Sequence, residues 1–269
     1  MEVTFKHSGN AGDIVYAMAA LRAYKNNNPS HDITLYLNLN VPAYYYKGAQ
    51  HPVKSGSIEV MLNKNMADMI TPLLLQQDYI DKVGIYDNQD VIVDLDRIRR
   101  EDCGMPYLPI QKWYSYLFPD LHCDISDRWL KFFGCIKSEM IGKILINRTG
   151  RYTNRWANYT FLRDYDQSRM LFVGLEEESE RFNQEFGLNI KYHRVEDFLD
   201  LSACIGTCSF FIGNQSMAFG IAEGLKIPRI LETCDFAPNV IPVGPSAYDF
   251  LYTDGLKYHF ANLYGQYFG

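Results

Sequence analysis

The chain has 269 residues, enough for two domains of about 130 residues each. A composition of 47% hydrophobic, 14% aromatic and 22% charged residues excludes a disordered or low-complexity chain. The 26 Lys and Arg against 32 Asp and Glu leave a net charge of −6, which disfavours a general duplex-DNA binder, whose affinity comes from neutralising phosphates.

Residues 3–7 predict a short strand, and a loop, Ser8-Gly9-Asn10-Ala11-Gly12-Asp13, follows it. Ile14, Ala17, Met18 and Leu21 then recur at helical spacing until Asn26-Asn27-Asn28-Pro29, and residues 32–38 alternate as a second strand. Strand, helix and strand in this order make a βαβ unit, so the opening sheet is expected to be parallel. Further on, residues 65–78 predict a helix interrupted by Pro72. Residues 82–86 and 91–95 predict short buried strands, and residues 111–118 an aromatic-rich helix. A second α/β pattern begins near residue 143. Strands at 143–147, 170–174, 189–192, 209–213 and 228–232 alternate with helices at 176–186, 196–205 and 216–225. The expected fold class is therefore α/β, with two Rossmann-like doubly wound domains facing across a cleft. Their bounds are 1–137 and 138–269, with the last helix free to pack back on the first domain.

No stretch of roughly 18 residues is apolar throughout, and Met1-Glu2-Val3-Thr4-Phe5-Lys6-His7 lacks the basic start and apolar core of a secretory signal. Cys103, Cys123, Cys135, Cys204, Cys208 and Cys234 form no C-x-x-C pair and are read as reduced thiols, without a zinc site. The expected location is cytoplasmic.

Two loops can carry chemistry. Gly9-Asn10-Ala11-Gly12-Asp13 is neither G-x-G-x-x-G nor a P-loop. It places Asp13 in the first turn of a helix, where the dipole favours an acid, so a cap accounts for it as well as a function does. The functional reading is a carboxylate at the carboxyl edge of the first strand, able to accept a proton from a hydroxyl. In the second loop a strand ends at Gly213 and a helix begins near Ser216, so the free N–H groups around Gln215, Ser216 and Met217 make a site ready for phosphate. Ser216 is equally suited to capping. Arg148, Arg151 and Arg155 cluster after the first strand of the second half, with Trp156 beside the last, and arginine forks suit phosphate oxygens. Asp94-Leu95-Asp96 has metal-binding D-x-D spacing but reads as a strand end. His7 and His193 read as satisfied polar positions, Glu223 as a helix-face residue, and Tyr44-Tyr45-Tyr46 with Lys47 and His51 as an aromatic patch.

Taken together, these segments resemble glycosyltransferases of the GT-B fold, most closely the heptosyltransferase-like (glycosyltransferase family 9-like) enzymes that build lipopolysaccharide cores. The resemblance rests on Gly12-Asp13-Ile14-Val15 with the helix from Ala17 to Arg22, and on Arg155-Trp156. It rests also on Phe211-Ile212-Gly213-Asn214-Gln215-Ser216 with Ile221-Ala222 and Ile227-Pro228. The Asp and His usual in the family's second turn are absent between Asn214 and Phe219.

The resemblance implies an inverting, metal-independent transfer of a sugar from a nucleoside-diphosphate donor to an acceptor hydroxyl. Asp13 would be the catalytic base, and Gly9, Asn10 and Gly12 the acceptor-side loop. Arg151, Arg155 and the amides around Gln215, Ser216 and Met217 would hold the donor diphosphate, and Glu232 would touch a ribose. The nucleotide-sugar is a co-substrate, and no further cofactor is expected. The acceptor is left open among a soluble glycan, a lipid-linked sugar, a protein and a modified nucleic acid. Two alternatives remain: a nucleotide-sugar epimerase or hydrolase of similar fold, and a non-enzymatic anion-binding protein.

Overall fold

The computed structural model describes residues 1–43, 53–101, 107–132 and 136–269. The aromatic patch at 44–51, Cys103 and Cys135 lie outside them. The chain divides into two compact units, one of Met1–Lys131 with Asp197–Leu199 and the other of Phe132–Glu196 with Asp200–Gly269.

The first unit opens with β1 (Glu2–His7), α1 (Ala11–Asn27) and β2 (Asp32–Leu37). β1 and β2 pair in parallel from Glu2 opposite Asp32 to His7 opposite Leu37. Val3, Phe5 and His7 are buried while Thr4 and Lys6 are half-exposed, which is the period-two alternation of a strand. A small hairpin, β3 (Lys54–Ser55) and β4 (Ile58–Glu59), precedes α2 (Lys64–Leu75), β5 (Lys82–Ile85), β6 (Val93–Asp94), α3 (Arg97–Arg100) and α4 (Trp113–Leu117). The main sheet has the order β5-β2-β1-β6, with every pairing parallel. β5 and β6 are half-exposed rather than buried, because each sits at a sheet edge with a neighbour on one side only. α2 is not interrupted at Pro72, which lies in its last turn; the missing N–H costs the helix one bond, the one to the Asp68 carbonyl four residues back. Trp129 closes this core from a distance: its indole N–H donates to the Val15 carbonyl at 3.0 Å.

The second unit contains β7 (Ile144–Asn147), β8 (Met170–Phe172), α5 (Glu176–Phe186), β9 (Lys191–Tyr192), α6 (Phe198–Thr207), β10 (Phe210–Asn214), α7 (Met217–Leu225), β11 (Arg229–Glu232), β12 (Ala247–Phe250) and α8 (Thr253–Phe268). Its sheet is parallel throughout, in the order β12-β11-β10-β7-β8-β9. β7, β10 and β11 are buried along their whole length, as strands covered on both faces are. α8 contributes to the core of its own unit: Leu256, Phe260 and Leu263 enter the same core as Ile144, Phe172, Phe210 and Ile230. Glu223 is not a helix-face residue. It is fully buried against the equally buried Arg229, whose remaining N–H groups donate to the carbonyls of Ile227 and Val243 at 2.7 Å each.

Each parallel sheet contains one point where the strand order reverses, between β1 and β6 in the first unit and between β7 and β10 in the second. Open α/β sheets bind ligands in the crevice outside the carboxyl ends of the strands at such points.

Candidate functional site

In the first unit the reversal point gathers the loop after β1, the end of β6 and the start of α3. Gly9 N–H donates to His7 Nδ1 at 2.8 Å, so the imidazole carries its proton on Nε2 and donates it to the Tyr114 hydroxyl at 2.6 Å. Tyr114 in turn donates to the Asp13 backbone carbonyl at 3.3 Å. Burial holds His7 below the usual histidine pKa despite the pull of Asp96 and Asp13, and it pushes the Tyr114 phenol well above its ordinary value. Gly9 has no room for a side chain: an added Cβ would lie 2.5 Å from His7 Cε1 and 2.9 Å from Asp13 Cβ. Asn10 is the N-cap of α1, and its N–H donates to Asp13 Oδ2 at 3.2 Å. Arg99, from α3, is ion-paired with the same oxygen. Burial opposes the charge of Arg99, but Asp13, Tyr114 and Asp96 outweigh it and raise its pKa.

The Asp94-Leu95-Asp96 pair is occupied by the protein. Asp94 is bonded to Lys6 at 3.1 Å and to Arg100 at 2.9 Å. Asp96 Oδ1 accepts the Ser8 N–H at 2.7 Å, and its Oδ2 bonds the Ser8 hydroxyl. These bonds brace the loop that carries Asp13. Among the described residues no group of three His, Cys, Asp or Glu could hold a metal ion.

In the second unit β7 ends at Asn147 and β10 at Asn214. Ser216 caps α7 by accepting the Phe219 N–H at 3.2 Å, and its hydroxyl donates to Asn147 Oδ1 at 2.8 Å. By helix geometry the N–H groups of Met217 and Ala218 have no acceptor within α7 and stand at its positive end. Gln215 is buried and works through its side chain. Its Oε1 accepts the Cys234 N–H at 3.0 Å, and its Nε2 donates to the Ala237 carbonyl at 2.7 Å and to Asn239 at 2.8 Å.

The loop after β7 runs across the carboxyl ends of three strands. Asn214 Oδ1 accepts the Thr149 N–H at 3.0 Å while its Nδ2 donates to the Arg151 carbonyl at 2.6 Å. Glu232, at the end of β11, accepts the Asn154 N–H at 2.6 Å, the Tyr159 hydroxyl at 2.7 Å and Arg148 Nε at 2.8 Å. Past β12, Thr253 donates to the Trp156 carbonyl at 2.8 Å.

These bonds change the roles assigned to two residues. Glu232 is fully buried with both carboxylate oxygens taken, so it holds the loop rather than presenting an edge to a ribose. Arg148 is sunk between Glu232, Glu185 and the ring faces of Tyr159 and Phe186 and is not part of a free basic cluster. Arg155 is different: its side chain is 73% exposed, with the guanidinium 4.2 Å above the Trp156 ring and 3.5 Å from Asp235. Arg151 is half-exposed, 5.8 Å from the Tyr152 ring.

The structure thus brings Gly9, Asn10, Gly12 and Asp13 together in the first unit. It brings Arg151, Gln215, Ser216 and Met217 together in the second. Arg99 and Tyr114 were missed in the sequence because they lie 86 and 101 residues from Asp13 and no local motif marks them.

No protein-family model matches this sequence, and no curated protein matches it. Solved structures do resemble it. The E. coli heptosyltransferase WaaC with ADP superposes with a TM-score of 0.66 at 9% identity, covering 98% of this chain and 100% of that one. E. coli ADP-heptose LPS heptosyltransferase II superposes at 0.56 and 12% identity over 99% of both chains. The glycosyltransferase family 9 protein from Veillonella parvula superposes at 0.55 and 12% identity, over 90% of this chain and 86% of that one. At this identity the likeness is one of fold, and the chain has the α/β fold of these heptosyltransferases.

Proposed function

We propose that this protein is a glycosyltransferase that moves a sugar from a nucleoside-diphosphate donor to an acceptor hydroxyl, with inversion and without a catalytic metal. The observation that carries this is the end-to-end likeness in fold to a heptosyltransferase whose structure holds ADP. It is supported by an acid on one sheet's carboxyl edge and an anion-ready helix start on the other's. The two domains, 1–137 and 138–269, would face each other across a cleft that excludes water on closing.

The acceptor oxygen would attack the anomeric carbon as its proton passes to Asp13. The bond from that carbon to the diphosphate oxygen breaks in the same displacement. Charge then collects on the departing diphosphate, where the N–H groups of Met217 and Ala218 with Arg155 and Arg151 would stabilise it. The side chain of Gln215 would hold the loops around this site rather than the phosphate itself. Four buried free thiols, Cys123, Cys204, Cys208 and Cys234, support a cytoplasmic location. No helix among the described residues is long and apolar enough to cross a membrane.

The test is calorimetry with ADP, GDP and UDP, followed by an assay of nucleoside-diphosphate release from the corresponding sugars with and without EDTA. Binding of at least one diphosphate and EDTA-resistant turnover are expected. Absence of binding to all three removes the donor site, and turnover abolished by EDTA removes the metal-free mechanism.

A further inference from the structure

The loop after β7 carries two Arg-aromatic pairs four residues apart, Arg151-Tyr152 and Arg155-Trp156. In each pair the guanidinium lies over the ring that follows it, at 5.8 and 4.2 Å. Each ring also meets an aromatic from a connection further along the sheet. Tyr152 stacks on Phe236, beyond β11, with ring centres 6.1 Å apart and planes 30° apart. Trp156 leans on Tyr252, beyond β12, at 5.5 Å. None of these rings belongs to the core of the unit, and Phe236 and Tyr252 are 45% and 60% exposed. Large apolar side chains held in ordered contact at a surface mark a binding surface more often than a scattered single ring does.

The Tyr152–Phe236 pair sits beside the anion-ready helix start. Arg151, the residue before Tyr152, is bonded through its carbonyl to Asn214 at the end of β10. Ala237, the residue after Phe236, is bonded through its carbonyl to Gln215, one residue from the helix cap Ser216. Tyr152 is further held at φ +50°, a left-handed conformation that a bulky residue adopts only when its surroundings fix it.

We propose that Tyr152 and Phe236 form a ring-stacking subsite for a ring with an apolar face carried on the diphosphate bound at the start of α7. This rests on the donor reading above and extends it: ring stacking, added to phosphate contact, sets how tightly the donor is held. Two rings on a nucleotide-sugar have that chemistry, the nucleobase and the sugar, and both present a face that an aromatic plane accepts.

The experiment is calorimetry of the full chain and of Phe236→Ala with pyrophosphate, ADP and ADP-glucose. Phe236 is an exposed loop residue, so the variant is expected to fold, and Phe236→Trp serves as the conservative control. Phe236→Ala is expected to leave pyrophosphate affinity within twofold and to weaken a ring-bearing ligand by about tenfold, with Phe236→Trp restoring it. A loss already present with ADP assigns the nucleobase, and a loss that appears only with ADP-glucose assigns the sugar. Equal losses for all three ligands would mean that Phe236 merely shapes the loop, and unchanged affinities would mean that it touches no ligand. Either result overturns the subsite while leaving the donor reading intact. Failure of the unmodified chain to bind any of the three, or GDP or UDP in the same titration, overturns both.

Discussion

Arg99 and the backbone N–H of Asn10 share one carboxylate oxygen of Asp13, and among the described residues its other oxygen, Oδ1, has no hydrogen-bond partner. A cap and an ion pair thus orient the carboxylate through Oδ2, and in the proposed mechanism Oδ1 is the atom that meets the acceptor hydroxyl.

Asp13→Asn removes the proton acceptor but keeps the shape of the side chain. It is expected to bind nucleoside diphosphate with unchanged affinity and to lose transfer by a hundredfold or more, on the order of what a positioned base supplies. Transfer at the unmodified rate would take Asp13 out of the mechanism.

Arg155→Ala and Arg148→Ala are expected to fail in different ways. The first removes an exposed guanidinium and is expected to lower turnover by roughly a hundredfold, about 3 kcal/mol, with the unfolding midpoint unchanged. The second strips the buried Glu232 of its cation and is expected to cost about 3–5 kcal/mol of stability in urea denaturation. A stable Arg148→Ala would show that Glu232 does not depend on it.

Glu232→Gln separates support of the loop from contact with a ribose. Support predicts a lower urea midpoint by the same amount whether nucleotide is absent or saturating. A normal midpoint combined with weakened nucleoside binding would restore the ribose contact.

His7 makes stability pH-dependent. Burial depresses its pKa in the folded chain, whereas in the unfolded chain it takes a proton near the ordinary value of about 6.5. Below that value the unfolded state binds more protons, so the His7 contribution is complete above about pH 6.5 and is lost as the pH falls. The limiting slope is about 1.4 kcal/mol per pH unit. Urea midpoints measured from pH 7 to pH 5 are expected to fall for the unmodified chain and to fall less for His7→Gln. Parallel slopes for the two would place the acid sensitivity elsewhere.

Gly9→Ala puts a Cβ against His7, Arg99 and Asp13 at once. Overpacking of this kind costs about 1–3 kcal/mol. Here it is expected to reduce transfer as well, because the same displacement moves Asp13. Full activity with unchanged stability would show that the loop yields freely.

The local devices were legible in the order of residues. The parallel opening of β1, α1 and β2 followed from apolar periodicity, and the cap at Ser216 followed from a small hydroxyl residue between a buried strand and a helix. Each needs only neighbours a few positions away, and backbone geometry turns that spacing into shape. The buried partners were not legible. Glu232 resembled a free acid at a strand end, and Arg148 one of three equivalent arginines. Glu223 looked like a residue on a helix face, yet all three are held by residues that folding brings close.

Short-range pattern therefore settled the α/β class, the two loops and the presence of an acid at one sheet edge and a helix start at another. Which charges are consumed by the protein and which stay available to a ligand was settled by folding. A carboxylate or guanidinium carries the same charge wherever it lies in the chain. Its freedom to bind depends on desolvation and on partners as much as 86 positions away, as with Asp13 and Arg99.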